Sequence, residues 1–107
     1  MTKQMLIGLL AYSLATVTLN ASAAGDPVAG KLSAETCMGC HAIQGYFNVY
    51  PTYRVPMVGG QSVGYLESAL KAYRDGGRQH PTMNANAAAL SDDDIANIAA
   101  YFAGLSH

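Results

Sequence analysis

The stretch Cys37-Met38-Gly39-Cys40-His41 decides how this chain is read. Cys37 and Cys40 are its only cysteines, and a histidine follows the second directly. Two thiols three residues apart at a helix end lie on one face, so both can reach the two vinyl groups along one haem edge. The histidine one residue on can then turn its imidazole to the iron. This is the pattern of c-type haem attachment. A disulfide across so short a spacing would close a very small loop and stabilise little. A thioredoxin-like redox pair needs a βαβ setting that no pattern here supplies. Structural zinc needs four ligands, and beyond the motif only His80 and His107 remain.

Toward the N-terminus the chain changes character. Lys3 is the only charge before Asp26, and an apolar run from Met5 to Leu19 is interrupted only by Ser13, Thr16 and Thr18. Ala21-Ser22-Ala23-Ala24 follows, with the small residues that signal peptidase accepts. Residues 1–24 therefore read as a secretory signal peptide cleaved after Ala23 or Ala24. The competing reading is an uncleaved anchor, but the apolar run falls short of the roughly 20 residues that span a bilayer. In a bacterium, export places the product in the periplasm. Residues 25–107 are left as one small domain, expected to act as a monomer. A chain of that size has a marginal core and gains much from a cofactor.

Composition narrows the partners. Half of the residues are hydrophobic and 12% are charged, which excludes a disordered chain. The formal net charge is −1, with no run of like charges, so nothing supplies the clustered positive field that nucleic acid requires.

Helix signals fill most of the remainder. Asp26 suits an N-cap and Pro27 the first helical position, for a helix running up to the cysteine motif. From Ala42 to Gln61 periodicity is lost, in a loop long enough to need support from a ligand. Its Tyr46, Phe47, Tyr50 and Tyr53 are expected to wrap a haem. Ser62 can cap a helix from Val63 to about Asp75, with Leu66, Ala69, Leu70 and Tyr73 on one face and Gly76-Gly77 to stop it. An irregular stretch holding Arg78, His80, Pro81, Thr82 and Met83 leads to an Ala-rich turn or short helix through Leu90. Ser91 and Asp94 resemble a capping box for the last helix, with Ile95, Ile98, Ala99 and Phe102 as its buried stripe and Gly104 at its end. The acidic trio Asp92-Asp93-Asp94 reads as helix-start chemistry. No strand is expected.

The second axial position on the iron decides function. Candidates from the sequence are Met83, His80, Met57 and an open site. The segment around Met83 lies between two helices, well placed to cross the haem face opposite His41, whereas Met57 sits in the loop that covers His41. His80 reads otherwise as an exposed loop histidine.

These residues resemble the bacterial class I c-type cytochromes, above all the small cytochrome c-553 branch and single domains of related dihaem cytochromes. The resemblance spans residues 25–107. It is carried by Cys37–His41, Val55-Pro56-Met57-Val58-Gly59-Gly60-Gln61 with Tyr65-Leu66, and Tyr73-Arg74-Asp75-Gly76-Gly77-Arg78. His80-Pro81-Thr82-Met83, Asp94-Ile95-Ala96 and Ala100-Tyr101-Phe102 complete it. Ala42 departs from the glycine that many relatives have after the histidine.

The resemblance implies an all-α fold of three main helices with short turns and long loops, wrapped around one covalently attached haem c. Cys37 and Cys40 would form the thioethers, with His41 and Met83 as axial iron ligands. The Pro56 carbonyl would accept a hydrogen bond from the His41 ring, and the Gly30 helix would cross the last helix near Tyr101. With both axial positions filled, the expectation is a periplasmic one-electron carrier and not an enzyme. It would meet redox partner proteins through the exposed haem edge and touch a membrane only through a membrane-bound partner. The alternative is a haem peroxidase or gas-binding sensor with an open axial site.

Overall fold

A computed structural model describes residues 24–106. The expected leader, apart from Ala24, and His107 lie outside the described residues. Among the described residues are five helices: α1 Pro27–Ser33, α2 Glu35–His41, α3 Val63–Asp75, α4 Pro81–Ala87 and α5 Asp92–Ala103. Two short strands, β1 Phe47–Asn48 and β2 Tyr53–Arg54, pair antiparallel with Phe47 opposite Arg54. No helix among the described residues is long and apolar enough to cross a membrane.

The expected start signals operate. Asp26 accepts the Val28 amide at 2.8 Å, with Pro27 at the first helical position. The single helix expected up to the cysteine motif is two. Ala34 has ψ near 1°, not the helical −42°, and this one-residue turn separates α1 from α2. Ala34 is fully buried, so the turn sits in the core and sends α2 away from the line of α1.

α1 packs on α5 through Gly30, whose missing side chain is filled by the Asn97 backbone and the Tyr101 Cβ. Asn97 also accepts the Asp26 amide at 2.7 Å, tying the start of α1 to the same helix. α3 packs on α5 from another side. Ala34, Leu66, Ile98, Ala99 and Phe102 form the buried cluster between these helices. Of the α5 stripe, Ile95, Ile98, Ala99 and Phe102 are all buried, as the spacing predicts.

α3 ends at Gly76 with φ 84°, the left-handed cap that glycine adopts without strain. Arg74, in its last turn, reaches across to α5. It donates to Asp92 Oδ1 at 2.7 Å and to the Leu90 carbonyl at 3.2 Å, and its Nε pairs with Asp75 at 2.9 Å. Asp92 therefore has a cross-helix partner besides its place at the helix start. Its carboxyl is held below the usual carboxylate range by the hydrogen bond from Arg74.

The irregular stretch expected around His80 and Met83 is in part helical. Pro81 supplies a fixed φ at the first position of α4, and the His80 ring caps it by accepting the Met83 amide through Nδ1 at 3.4 Å. An imidazole here takes the part usually played by serine or aspartate. The absence of strands is also corrected. Two residues per strand are too few to show an alternating pattern, yet they suffice to close the hairpin between Tyr46 and Val55.

At the start of α5 both halves of the capping box form: Ser91 Oγ accepts the Asp94 amide at 3.1 Å, and the Asp94 carboxylate accepts the Ser91 amide at 3.0 Å. Ser91→Ala should lower stability by about 1 kcal/mol, read as a fall in thermal midpoint. The Ser91 hydroxyl and amide hold the Asp94 carboxyl below its ordinary value of 3.8. A depressed carboxylate stabilises fully above the unfolded pKa and loses that stabilisation as pH falls through the folded one. The difference between wild type and Ser91→Ala should thus narrow below pH about 3.8. An equal difference in acid and at neutrality would show that the box contributes nothing through the carboxylate.

Candidate haem site

The haem-attachment residues and the candidate ligands meet at one cleft of about 380 Å³. Cys37, Cys40 and His41 enter it from α2, and Met83 enters it from α4. The α3 stripe of Leu66, Ala69, Leu70 and Tyr73 turns toward this cleft, as do Ile98 and Phe102 of α5. Much of the apolar surface that sequence periodicity assigns to a core therefore lines a space for a ligand. That is why so few side chains are fully buried.

Both cysteines are free and half-buried. Burial pushes the Cys37 thiol above its ordinary value, opposed by a hydrogen bond from Thr36. Redox-active pairs of this spacing have depressed thiols, so this environment does not suit a thioredoxin-like role. The strand context agrees, because the sheet among the described residues is a single antiparallel hairpin.

His41 Nδ1 lies 2.7 Å from the Pro56 carbonyl. A carbonyl can only accept, so Nδ1 carries the proton in the neutral ring and Nε2 keeps the lone pair. That is the tautomer a metal-binding imidazole requires, and the bond fixes the ring's orientation as well. Pro56 is held in place from both sides. The Val55 amide donates to the Tyr46 carbonyl at 2.9 Å, and the Gly60 amide donates to the Phe102 carbonyl at 2.8 Å.

The other axial candidates are distributed by the fold. Met57 lines a separate pocket of about 200 Å³ with Met38, Ala42 and Leu105, also bordered by His41 but distinct from the cleft. His80 does line the cleft. It is half-buried, not an exposed loop residue, and its Nδ1 is engaged by the Met83 amide.

Of the loop aromatics expected to wrap the site, Tyr46 and Tyr53 line the cleft. Phe47 and Tyr50 instead face solvent, 54% and 94% exposed. Sequence reasoning missed Asn84. Its Nδ2 donates to the carbonyls of Tyr73 at 2.7 Å and Arg78 at 2.8 Å, and its Oδ1 accepts the His80 amide at 2.8 Å. Those partners lie 4, 6 and 11 residues before it, and no sequence pattern announces all three bonds.

The donor set fits a c-type haem. Two unpaired thiols stand on one helix end, an imidazole presents its Nε2 lone pair, and a thioether enters from another helix, all around an apolar cleft. A Cytochrome c family model matches residues 28–106. The chain is 48% identical over 82 residues to cytochrome c-554(548) of Halomonas halodenitrificans, covering 74% of this chain and 95% of that protein. It is 31% identical over 97 residues to cytochrome c-553 of Helicobacter pylori, covering 91% and 90%. To cytochrome c4 of Pseudomonas aeruginosa it is 40% identical over 83 residues, 78% of this chain but 40% of that one.

Among solved structures, reduced recombinant cytochrome c4 from Pseudomonas stutzeri superposes with a TM-score of 0.57 at 28% identity. That match covers 77% of this chain and 50% of that one. The chain thus spans nearly the whole of the small cytochromes and half or less of the cytochromes c4. With the cysteine–histidine motif set at the mouth of a helical cleft and a family match running through the whole described domain, the chain belongs to the cytochrome c family, as a class I c-type cytochrome that carries covalently bound haem c and transfers electrons.

Proposed function

We propose that the protein is a periplasmic one-electron carrier whose haem iron is held between His41 and Met83, with Cys37 and Cys40 as the thioether tethers. The observation that carries this reading is the entry of His41 and Met83 into one cleft from two different helices, with His41 already held in the metal-binding tautomer by Pro56. When bound, the haem supplies a reversible one-electron iron couple.

The chain's own residues do the rest. Two covalent tethers from α2 keep the cofactor in register with His41. By accepting a hydrogen bond from the His41 Nδ1–H, the Pro56 carbonyl would make the imidazole a better donor through Nε2. The Met83 thioether, a soft neutral donor lining the same cleft, would hold the iron opposite His41 and favour its reduced state. Leu66, Ile98 and Phe102 keep water from the buried side of the cleft. With His41 and Met83 both on the iron, no position would be left for a substrate, and no side chain would need to accept a proton.

Redox partners would meet the protein near the hairpin, where Phe47, Val49 and Tyr50 are exposed beside the cleft-lining Tyr46 and Tyr53. Export rests on the pattern of residues 1–24.

Visible spectroscopy of the protein purified from periplasm tests the reading. The ferric form should show the weak red-edge absorption that marks an iron–thioether bond, and the ferrous form should bind carbon monoxide slowly. The purified chain should begin at Ala24 or Gly25. Rapid carbon monoxide or cyanide binding to resting protein would instead indicate an open axial site and a peroxidase or gas-sensing role. An intact N-terminus would refute the cleaved leader.

A further inference from the structure

The segment that carries Met83 is tied down from two sides. On the α3 side, Asn84 bonds the carbonyls of Tyr73 and Arg78 and accepts the His80 amide. On the hairpin side, the hydroxyl of Tyr53 in β2 lies 2.9 Å from Thr82 Oγ1, the residue directly before Met83. The Tyr53 ring also meets the His80 ring edge-on, with 4.7 Å between centroids and 85° between planes. Tyr53 is half-buried and lines the cleft. Its strand is held by pairing with β1 and by the bond from Val55 to Tyr46 that closes the hairpin.

Met83 sits in the first turn of α4, so outward movement of that turn is a route by which its thioether would leave the metal. That movement must separate Thr82 from Tyr53. Any competing ligand binds with an apparent affinity proportional to the fraction of protein in which the methionine is displaced. A bond that exists only in the closed arrangement therefore lowers that affinity by its own net stabilisation. We propose that Tyr53 is a positioning residue: through Thr82 it latches the Met83 segment over the cleft, so the β-hairpin sets how often the axial methionine leaves. The proposal rests on Met83 as the axial ligand.

Imidazole titration of the ferric holoprotein at one fixed pH tests it. Tyr53→Phe and Thr82→Val each remove one end of the latch while keeping side-chain volume. Each should raise imidazole affinity about fivefold, the factor for one net hydrogen bond. Because the two share one bond, the double variant should rise no further than either single variant. Thr82→Ser, which keeps a hydroxyl, should bind like wild type. Without imidazole every variant should keep the iron–thioether absorption.

Unchanged affinity in Tyr53→Phe and Thr82→Val would overturn the latch, even if their thermal midpoints fell, since that would leave a purely structural bond. An effect in Tyr53→Phe with none in Thr82→Val, or additive effects, would overturn it by showing that Tyr53 acts elsewhere. Failure of the underlying ligand assignment looks different. Wild type itself would then lack the iron–thioether absorption, and Met83→Ala would bind imidazole no more tightly than wild type.

Discussion

Replacing Met83, the proposed axial ligand, with alanine should open the iron to exogenous ligands. Three changes are expected together. The ferric protein should lose its iron–thioether absorption, cyanide and carbon monoxide should bind rapidly, and the reduction potential should fall. Loss of the proposed soft donor would remove its preference for the reduced iron. The fall should be on the order of a hundred millivolts or more, within the roughly 0.8 V over which axial ligation tunes haem potentials.

Met83 is half-buried in the first turn of α4, so alanine also removes packing. Met83→Leu separates the two effects, because a volume-conserving swap costs less than about 1.5 kcal/mol while still deleting the sulfur. If leucine reproduces the spectral change and the potential shift, the sulfur is responsible. If neither variant alters spectrum or potential, Met83 is not the ligand. His80, which lines the same cleft, would be the next residue to replace, although its Nδ1 already accepts the Met83 amide.

The features legible in the sequence are those whose chemistry is local. Cys37, Cys40 and His41 declare a haem because attachment and ligation need those residues at that spacing. Gly76 stops α3 because a left-handed residue is needed there, and Ser91 with Asp94 announces α5 because the box closes within one turn. The illegible features depend on partners distant in sequence. Tyr53 and Thr82 are 29 residues apart, and Arg74 meets Asp92 from 18 residues away. Neither pair leaves a periodic trace.

The hairpin from Phe47 to Arg54 escaped because its strands are only two residues each. The start of α4 is hidden from the sequence because its cap is His80, a residue with no marked capping preference. The turn at Ala34 has no residue signal at all, since alanine is the best helix former. The α3 stripe is legible as one apolar face, but periodicity cannot tell a protein core from a cofactor cleft. Leu66, Ala69, Leu70 and Tyr73 line the cleft, and Leu66 belongs to the core cluster as well.

Gly30 has large leverage on the fold. It is buried, and it is where α1 crosses α5. A Cβ built there would fall far inside van der Waals contact of the Asn97 carbonyl and reach 3.0 Å from the Tyr101 Cβ. The obstacle is backbone, so no rotamer change relieves it and the two helices must move apart. That separation would strain the Asp26–Asn97 bond and disturb the packing of Ala34, Ile98, Ala99 and Phe102.

Overpacking a core costs typically 1–3 kcal/mol and occasionally more. A clash against main chain at a helix crossing belongs at or beyond the upper end, so Gly30→Ala should lower stability by about 3 kcal/mol or more. That is a large share of what a domain of this size possesses. Helix propensity works in the opposite direction, since alanine is favoured over glycine by about 1 kcal/mol in a helix interior. Gly64 in α3 isolates that term, because a Cβ there meets nothing within 4 Å. Gly64→Ala should be neutral or stabilising by up to about 1 kcal/mol. Denaturant unfolding of the holoprotein measures both variants, and equal stabilities would show that the α1–α5 crossing can widen at no cost.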